Sequence, residues 1–409
     1  MDVTAGQFGK LASRITEWPQ GDGTARGRAA LAELIGSAEE PLRSSLDEQL
    51  SREPAAALVA GTIEGSPYLR GLIQREPARL VRILDTAPEL LFAEWRGELD
   101  AALAAAGGIS EAMQAVRVFK SNVALLTALA DLAGAWPVMT VTQILTETAD
   151  AALQGGIRFL FRKAAEKGDW LPPDPGRPEH GSGYIVLGMG KYGAGELNYS
   201  SDIDLIVFYE LARVRLRPGL EPQPFFVRLT RDVVRLMDER TAHGYVFRTD
   251  LRLRPDAGAT QIAMSTDSAL HYYEAFGQNW ERAAMIKARP VAGDIEAGEL
   301  ILQELAPFVW RKYLDFAAIA DVHAMKRQIH AFRGFGGIAV AGHNVKLGRG
   351  GIREIEFFAQ TQQLIAGGRQ PQLRSRATLV TLDGLVEKGW IRREVAVELA
   401  DAYRFLRRL

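Results

Sequence analysis

Residues 184–209, "YIVLGMGKYGAGELNYSSDIDLIVFY", decide the fold, because they fit two kinds of nucleotide site at once. The first part, residues 188–193, matches the G-x-G-x-x-G pattern of dinucleotide-binding folds and follows an apolar run. The second part carries a D-x-D, Asp202 and Asp204, at the start of another apolar run. The spacing between the two parts distinguishes the two kinds of site.

The spacing is too short for a dinucleotide-binding fold. In that fold the glycine loop leads into a helix of several turns, and the ribose-binding acid stands at the far end of the next strand. Here only residues 196–201 separate Gly195 from Asp202, and the acids stand at the start of the next strand. The glycine pattern alone is a weak signal, so the sequence disfavours a dinucleotide site.

The D-x-D predicts a metal site. Because side chains alternate along a strand, Asp202 and Asp204 project from one face, while Ile203, Leu205 and Val207 point into the core. Two carboxylates on one face repel each other unless a cation lies between them. Mg²⁺ suits this place, since it binds a few carboxylates and leaves positions open for phosphate oxygens. Taken alone, a D-x-D is also typical of a polar strand end.

A third acid occurs in "YVFRTDLRLRP", which we predict to be another strand. Asp250 shares a face there with Arg248, Arg252 and Arg254. If the two strands are neighbours, three carboxylates and several guanidinium groups converge, as in sites that clamp metal ions and phosphates for transfer at phosphorus. We expect Asp202, Asp204 and Asp250 to be the catalytic and metal-binding acids. Arg252 and Arg254 either bind phosphate or form ion pairs that balance these acids.

Two glycine-rich turns are candidate phosphate cradles. In the first, Gly190 and Lys191 together with Ser200 and Ser201 can offer backbone N–H groups and a cation to a phosphate. In the second, "KLGRGGIREIEFF", the glycines lead into a helix predicted to start near Ile352. Three cationic side chains around that helix start can face an anion: Lys346, Arg349 and Arg353. The alternative for the second turn is a role in domain packing.

Composition changes along the chain predict four segments. Residues 1–170 read as a helical domain, 171–183 as a Pro- and Gly-rich linker, 184–267 as a small α/β core, and 268–409 as a second helical region. The chain stops within an apparent helix, so we expect it to be part of a longer protein. The predicted fold class is α+β and mostly helical, with a small mixed sheet between flanking helical domains.

Bulk properties exclude several kinds of site. The 409 residues carry 49 Lys and Arg against 50 Asp and Glu, so charge points to no nucleic-acid partner. There is no cysteine, which excludes disulfides, thiolate nucleophiles and Cys-ligated zinc, and the six histidines are scattered. We see neither a signal peptide nor a membrane-length apolar run, and we expect a cytoplasmic protein.

The motifs together carry a family resemblance. Gly190 and Lys191, the D-x-D and the later strand acid resemble the nucleotidyltransferase superfamily of polymerase-β type. Four blocks in order are more specific: "GMGKYGAGELNYSSDIDLI", "RTDLRLRPDAGAT", "NWERAAMIKARPVAGD" and "KLGRGGIREIEFFAQTQQLIAGGR". They span residues 188–369 and resemble the bifunctional glutamine synthetase adenylyltransferase/adenylyl-removing enzymes, whose two halves are related nucleotidyltransferases.

The resemblance favours the N-terminal, adenylyl-removing half. It implies a Mg²⁺-dependent phosphorolysis in which phosphate attacks the AMP group on a tyrosine of glutamine synthetase and ADP is released, with a PII signalling protein as regulator. The alternative is ATP-dependent adenylylation of the same tyrosine. A PII-sensing module without catalysis and a small-molecule nucleotidyltransferase are further alternatives. The complete acid set argues against the first of these, and the long helical flanks argue for a protein substrate.

Overall fold

The computed structural model describes residues 9–20, 24–311 and 342–409. Contacts within the chain divide it into two compact units. Unit 1 comprises Met1–Gly155 and Arg240–Val246, and unit 2 comprises Gly156–Glu239 and Phe247–Leu409. No helix in the described ranges has the length and apolar content that crossing a bilayer requires.

Unit 1 is built of helices. They are α1 (Thr24–Ser37), α2 (Leu42–Leu50), α3 (Ala55–Gly65), α4 (Pro67–Arg75), α5 (Pro77–Asp85), α6 (Pro88–Ala105), α7 (Ile109–Leu132) and the first part of α8 (Val138–Glu166). Proline opens α4, α5 and α6, where its fixed φ suits the first turn and its missing N–H is not needed. Their apolar faces meet in a core that includes Leu58, Trp95 and Leu126.

A short turn far along the chain also belongs to unit 1. Residues 240–246 are held by Arg117 of α7, whose Nε donates a hydrogen bond to the Gly244 carbonyl at 2.9 Å. The Arg117 side chain is buried, and its Nη1 donates to the Met113 carbonyl at 2.9 Å. Burial of a guanidinium requires such partners, so this contact explains why the turn groups with the helices.

Unit 2 contains a mixed five-stranded sheet. Its strands are β1 (Tyr184–Gly188), β2 (Ile203–Tyr209), β3 (Thr249–Asp250), β4 (Met264–Ser265) and β5 (Arg289–Gly293). The order is β3-β2-β1-β5, and β4 also pairs with β2. β1 runs antiparallel to both β2 and β5, whereas β3 and β4 run parallel to β2. The predicted α+β class, mostly helical with a small mixed sheet, is confirmed.

Helices surround this sheet. They are the end of α8, α9 (Gly190–Gly193), α10 (Pro222–Asp238), α11 (Thr266–Ala275), α12 (Asn279–Met285), α13 (Ile295–Glu304), α14 (Ala306–Val309), α15 (Ile352–Ala366), α16 (Thr378–Glu387) and α17 (Arg393–Arg408). On one face, Phe226 of α10 stacks on Tyr184 and Tyr209 with ring centroids 5.6 and 4.9 Å apart. On the other, Ile206 and Phe208 join a core with α11 to α13. Both faces are therefore covered, which explains why β2 is buried almost throughout.

The predicted segments and these units do not coincide at two places. Residues 171–183 hold neither helix nor strand, but they pack within unit 2, where Trp170 Nε1 donates to the Pro178 carbonyl at 2.9 Å. The sheet gains β5 beyond residue 267, the predicted end of the α/β core. Part of the predicted C-terminal helical region, residues 312–341, lies outside the described residues. The four segment boundaries remain predictions.

Candidate active site

The three acids meet at one edge of the sheet. β2 and β3 pair in parallel, with Asp204 opposite Asp250, and Asp202 directly precedes β2. One oxygen from each of the three carboxylates lies within 4.8 Å of the others. The two strands that carry the acids are therefore neighbours, which the sequence analysis could only assume.

The charges of this acid cluster act strongly on one another. Burial, and then the neighbouring carboxylates of Asp202 and Asp250, raise the pKa of Asp204 to about 6. The pKa of Asp250 is lowered instead, chiefly because Arg252 Nε donates to its two oxygens at 3.0 and 2.9 Å. Asp204 is thus the carboxylate whose ionised form most needs a positive partner.

The donor set suits Mg²⁺. Carboxylate oxygens are the protein ligands that this ion prefers, and three of them converge from one side here. Burial, and then the charges of Asp202 and Asp250, raise the pKa of Asp204, and a divalent cation beside it would favour its ionised form. Asp202 and Asp204 would hold the ion, with Asp250 completing the set.

The glycine turn lies directly against the acids. Gly190 starts α9 with φ +54°, and a Cβ built there would lie 3.0 Å from Asp204 Oδ2. The Met189 N–H donates to the Asp204 carbonyl at 2.9 Å, which fixes the turn to β2. Since β1 and β2 are antiparallel neighbours, the parallel β-α-β unit of a dinucleotide-binding fold is absent from this described stretch.

The two predicted phosphate cradles lie together. Burial first, and then the positive charges of Arg407, Lys346 and Arg353, lower the pKa of Lys191 to about 8, while Glu356 acts in the opposite direction. Lys346 and Arg353 also oppose the rise in the pKa of Asp204. The two turns therefore place a cluster of cations beside the acid cluster, which is an arrangement suited to a metal-bound phosphate.

The second turn is stabilised by its own backbone. The N–H groups of Ile352 and Arg353, at the start of α15, donate to the carbonyls of Val345 and Lys346 at 2.9 and 3.3 Å. The Gly350 N–H donates to Glu354 Oε2 at 2.9 Å. Since these N–H groups are occupied, attraction for an anion rests on the exposed side chains of Lys346 and Arg353 more than on the helix end.

The remaining predicted phosphate ligands have different surroundings. The predicted strand around Asp250 is only two residues long, so Arg252 and Arg254 lie in the turn that follows it. Arg254 donates to the carbonyls of Leu251, Ala257 and Thr260 and so holds that turn together. The Arg252 side chain is 84% exposed and pairs with Asp250.

Three further predicted phosphate ligands are Ser200 and Ser201, which belong to the first cradle, and Arg349, which belongs to the second. The Ser200 carbonyl accepts a hydrogen bond from Arg248 Nη2 at 2.6 Å, and the Ser201 N–H donates to the Asn198 carbonyl at 3.2 Å. Arg349 is exposed, and its carbonyl accepts from His343 Nε2 at 2.9 Å. As phosphate ligands, all three remain predictions.

Sequence reasoning missed a buried charged cluster behind the turns. It joins Glu196, Lys287, Glu356 and Arg407, all of which are buried. Lys287 Nζ and Arg407 Nη2 each lie 3.4 Å from Glu196 Oε2, and Arg407 Nη2 lies 3.4 Å from Glu356 Oε1. The partners are far apart in the chain, so no local pattern identifies them. The quoted motifs contained three of the four residues without indicating their pairing.

Comparison with known proteins identifies the family. Residues 57–304, more than half of the chain, match the family model described as glutamate-ammonia ligase adenylyltransferase. The chain belongs to this family. The resemblance inferred from the motifs is thereby confirmed, and the sheet edge with its three acids lies within the matched region.

Curated relatives carry the bifunctional name. The chain is 55% identical over 380 residues to the bifunctional glutamine synthetase adenylyltransferase/adenylyl-removing enzyme of Bradyrhizobium diazoefficiens, covering 93% of this chain and 38% of that protein. It is 53% identical over 400 residues to the enzyme of that name from Rhodopseudomonas palustris strain BisB5, covering 98% and 40%. The chain thus spans about two fifths of the length of these relatives.

A second family model covers the C-terminal part. Residues 323–409 match the model described as GlnD PII-uridylyltransferase. In the described part of that match lie α15, which carries Arg353 and Glu356, α16, and α17, which carries Arg407. The C-terminal part of the chain is thus similar to a second family, named for PII uridylylation.

Proposed function

We propose that this chain removes AMP from adenylylated glutamine synthetase by phosphorolysis. The observation that carries the proposal is the cation cluster of Lys191, Lys346 and Arg353 beside the acid cluster of Asp202, Asp204 and Asp250. The acids can hold Mg²⁺, and the cations can hold a second anion next to it. Cations that can hold an attacking phosphate beside acids that can hold a metal-bound AMP phosphate suit this reaction.

The bond changes are those of an in-line displacement. An oxygen of inorganic phosphate forms a bond to the AMP phosphorus, and the bond from that phosphorus to the tyrosine oxygen breaks. The products are ADP and a tyrosine whose oxygen takes up a proton. Mg²⁺ would neutralise the negative charge that moves from phosphate to the leaving oxygen.

Each group of residues has a role in this scheme. Asp202 and Asp204 bind the metal ion, and Asp250 either binds it or orients the attacking phosphate. Lys191, Lys346 and Arg353 hold that phosphate close to the AMP phosphorus, so that catalysis comes from positioning and charge neutralisation. Arg252, which is exposed and already paired with Asp250, can turn toward an incoming phosphate at the cost of that pair.

The direction of the reaction is inferred from the amino-acid sequence of the first of the four blocks. The stretch "GMGKYGAGELNYSSDIDLI" resembles the adenylyl-removing half of the bifunctional enzymes. The opposite reaction, transfer of AMP from ATP to the same tyrosine, has a specific observation in its favour, since the matching family model is described as an adenylyltransferase. We propose the removal as the main activity, with a PII protein as regulator.

The experiment measures AMP removal and AMP transfer in separate incubations. The chain is incubated with adenylylated glutamine synthetase and Mg²⁺, with and without inorganic phosphate, and ADP is measured. We expect ADP only when phosphate is present. In a parallel incubation with unmodified glutamine synthetase and ATP, we expect little or no transfer of AMP. Efficient labelling from ATP without phosphate-dependent ADP release would establish the opposite reaction, and inactivity in both arms would refute the enzymatic proposal.

A further inference from the structure

The side chain of Arg407 connects two parts of the candidate site. It lies in the last turn of α17, and none of it is exposed. Its Nη1 donates to the Glu196 carbonyl at 2.9 Å and to Asn198 Oδ1 at 3.1 Å. Both acceptors belong to residues 194–202, the loop that runs from α9 to Asp202. The loop is therefore held at its middle by a residue from the end of the chain.

The same guanidinium reaches the helix of the second turn. Arg407 Nη2 lies 3.4 Å from Glu356 Oε1, and Glu356 follows Arg353 by one turn of α15. Because residues three apart share a helix face, fixing Glu356 also fixes the backbone that carries Arg353. One planar group thus holds both the loop before the acids and the helix that bears a candidate phosphate ligand.

Glu196 strengthens the loop side of this connection. Its Oε1 accepts from the Thr378 N–H at 2.8 Å, and its Oε2 lies 3.2 Å from Thr378 Oγ1 and 3.4 Å from Lys287 Nζ. The pKa of Glu356 is lowered although burial would raise it, because Lys287, Lys191 and Arg407 supply positive charge. The positive charges around Glu356 therefore favour its ionised form, and Glu196 is held through both of its carboxylate oxygens.

A buried charged cluster of this kind needs an explanation other than stability. Removing charges from water is costly, and apolar side chains of similar volume are often as stable or more so. What apolar contacts do not supply is a directional connection, whereas a guanidinium with several donors in one plane fixes its acceptors relative to one another. Here the guanidinium of Arg407 joins the loop of residues 194–202 to α15, and the distance between these two elements determines how far the acids lie from the cations.

We infer that Arg407 is a positioning residue: it fixes the loop before Asp202 relative to α15, and so sets the spacing between the metal-binding acids and the phosphate-binding cations. This inference rests on the proposed function of the site. Its direct consequence, however, concerns the binding of inorganic phosphate in the presence of Mg²⁺, which is measured without turnover.

Arg407→Lys tests the inference. Lysine keeps the charge but lacks the planar pair of nitrogens with which Arg407 reaches Asn198 through Nη1 and Glu356 through Nη2. We expect the dissociation constant of inorganic phosphate, measured by calorimetry on the 409-residue chain with saturating Mg²⁺, to rise about tenfold, and the KM for phosphate to rise in parallel. The matched control is Arg404→Lys, one turn earlier on α17, since Arg404 is half exposed and pairs with Asp401 at 3.0 Å. We expect wild-type binding from that control.

A second variant keeps the test decisive if Arg407→Lys does not fold. Asn198→Ala removes one acceptor on the loop side, and we expect the dissociation constant for phosphate to rise about threefold. In a folded double variant the two effects should not add, because both remove the same connection. Wild-type phosphate affinity in folded Arg407→Lys, or in Asn198→Ala if Arg407→Lys is unfolded, overturns the inference.

The wild-type chain separates this inference from the proposed reaction. Mg²⁺-dependent phosphate binding without ADP release from adenylylated glutamine synthetase would count against the proposed reaction alone, and the comparison of variants would still decide the role of Arg407. A wild-type chain that binds no phosphate would overturn the positioning role, because there would be no anion site to position.

Discussion

Asp204 is the residue at which metal binding and stability are opposed. Its pKa is about 6 in the folded protein and 3.8 in an unperturbed carboxyl, so folding favours the protonated form. The associated stability is fully present below about pH 4 and is lost as the pH rises through 6. At pH 7 the ionised Asp204 therefore destabilises the metal-free chain by about 3 kcal/mol.

For Asp204→Asn we predict opposite effects on stability and activity. The variant should melt at a higher temperature than the wild type at pH 7 without metal, and at nearly the same temperature at pH 4. Mg²⁺ should stabilise the wild type at pH 7 and leave the variant unchanged. Turnover should fall by about a thousandfold or more, because a ligand of the catalytic metal is lost. Thermal melts at both pH values and steady-state kinetics measure these effects.

The control for this variant is Asp256→Asn, which removes an exposed carboxylate in the turn after Asp250 and outside the acid cluster. It should leave both the Mg²⁺ effect and turnover unchanged. Near wild-type turnover in folded Asp204→Asn would disprove the assignment of the metal site.

Lys191 should make phosphate binding sensitive to alkaline pH. Its pKa is about 8, chiefly because burial disfavours the charged form. Only that charged form attracts phosphate, so affinity for phosphate should weaken as the pH rises through 8. We predict that Lys191→Ala lowers turnover or weakens the phosphate dependence by about ten- to a hundredfold, equivalent to about 1.4 to 2.7 kcal/mol, and abolishes the alkaline decline. Kinetics with varied phosphate between pH 7 and 9 provide the measurement.

The melting temperature of Lys191→Ala should change little, because the amine lies among the positive charges of Arg407, Lys346 and Arg353. Lys167→Ala, an exposed lysine that follows α8, is the matched control and should behave as the wild type. If Lys191→Ala shows the phosphate dependence of the wild type, the cradle consists of Lys346 and Arg353 without this lysine.

Among the elements, α9 and the turn before it leave little space for added side-chain atoms. A Cβ on Gly193 would lie 2.0 Å from the Lys287 carbonyl oxygen and 2.3 Å from that of Gly188, and backbone cannot withdraw as a side chain can. We predict that Gly193→Ala destabilises the protein by about 3 kcal/mol or more. Gly190→Ala should cost about 1 to 2 kcal/mol for its positive φ and should reduce Mg²⁺-dependent activity more strongly, since its Cβ displaces Asp204.

Gly195→Ala is the control for this glycine series. Its φ is +76°, yet nothing lies within 4 Å of the added Cβ, so it reports backbone strain alone. Chemical denaturation and Mg²⁺ titration of the three variants should therefore separate strain from displacement of the acid. Equal loss of activity in Gly190→Ala and Gly195→Ala would contradict the contact between the turn and Asp204.

The elements also show what the sequence could predict. β1 and β2 are long apolar runs, and the start of α15 at Ile352 followed from the glycines before it, so local pattern sufficed. The strand predicted around Asp250 is shorter than expected, because Arg254 is bonded to three carbonyls of a turn. The pairing of Arg407 with Glu196 spans most of unit 2, and only the tertiary structure reveals it.

At the scale of the whole molecule, ligand effects should be confined to unit 2. The acid cluster, both turns and the Arg407 connection belong to residues of that unit. We predict that Mg²⁺ with phosphate slows amide hydrogen exchange in residues 188–204, 248–252 and 344–356, and leaves the amides of α1 to α7 unchanged. Exchange followed by peptide mass spectrometry, with Asp204→Asn as the unresponsive reference, makes the comparison. Protection centred on α1 to α7 would refute the location of the site.

The pairing of β2 with its neighbours also has a consequence for the order in which the chain folds. β1 and β2 are joined by a short connection, so closing that loop costs little chain entropy and brings Gly190 to Asp204 early. Asp250 reaches Asp204 only after the crossover through α10 has formed the parallel pair, which is a slower, less local event. A divalent ion that requires all three carboxylates would therefore bind only after β2 and β3 have paired, and it would not bind a chain in which only β1 and β2 have paired. The rate at which metal binding appears during refolding would then report the rate at which the parallel β2–β3 pair forms.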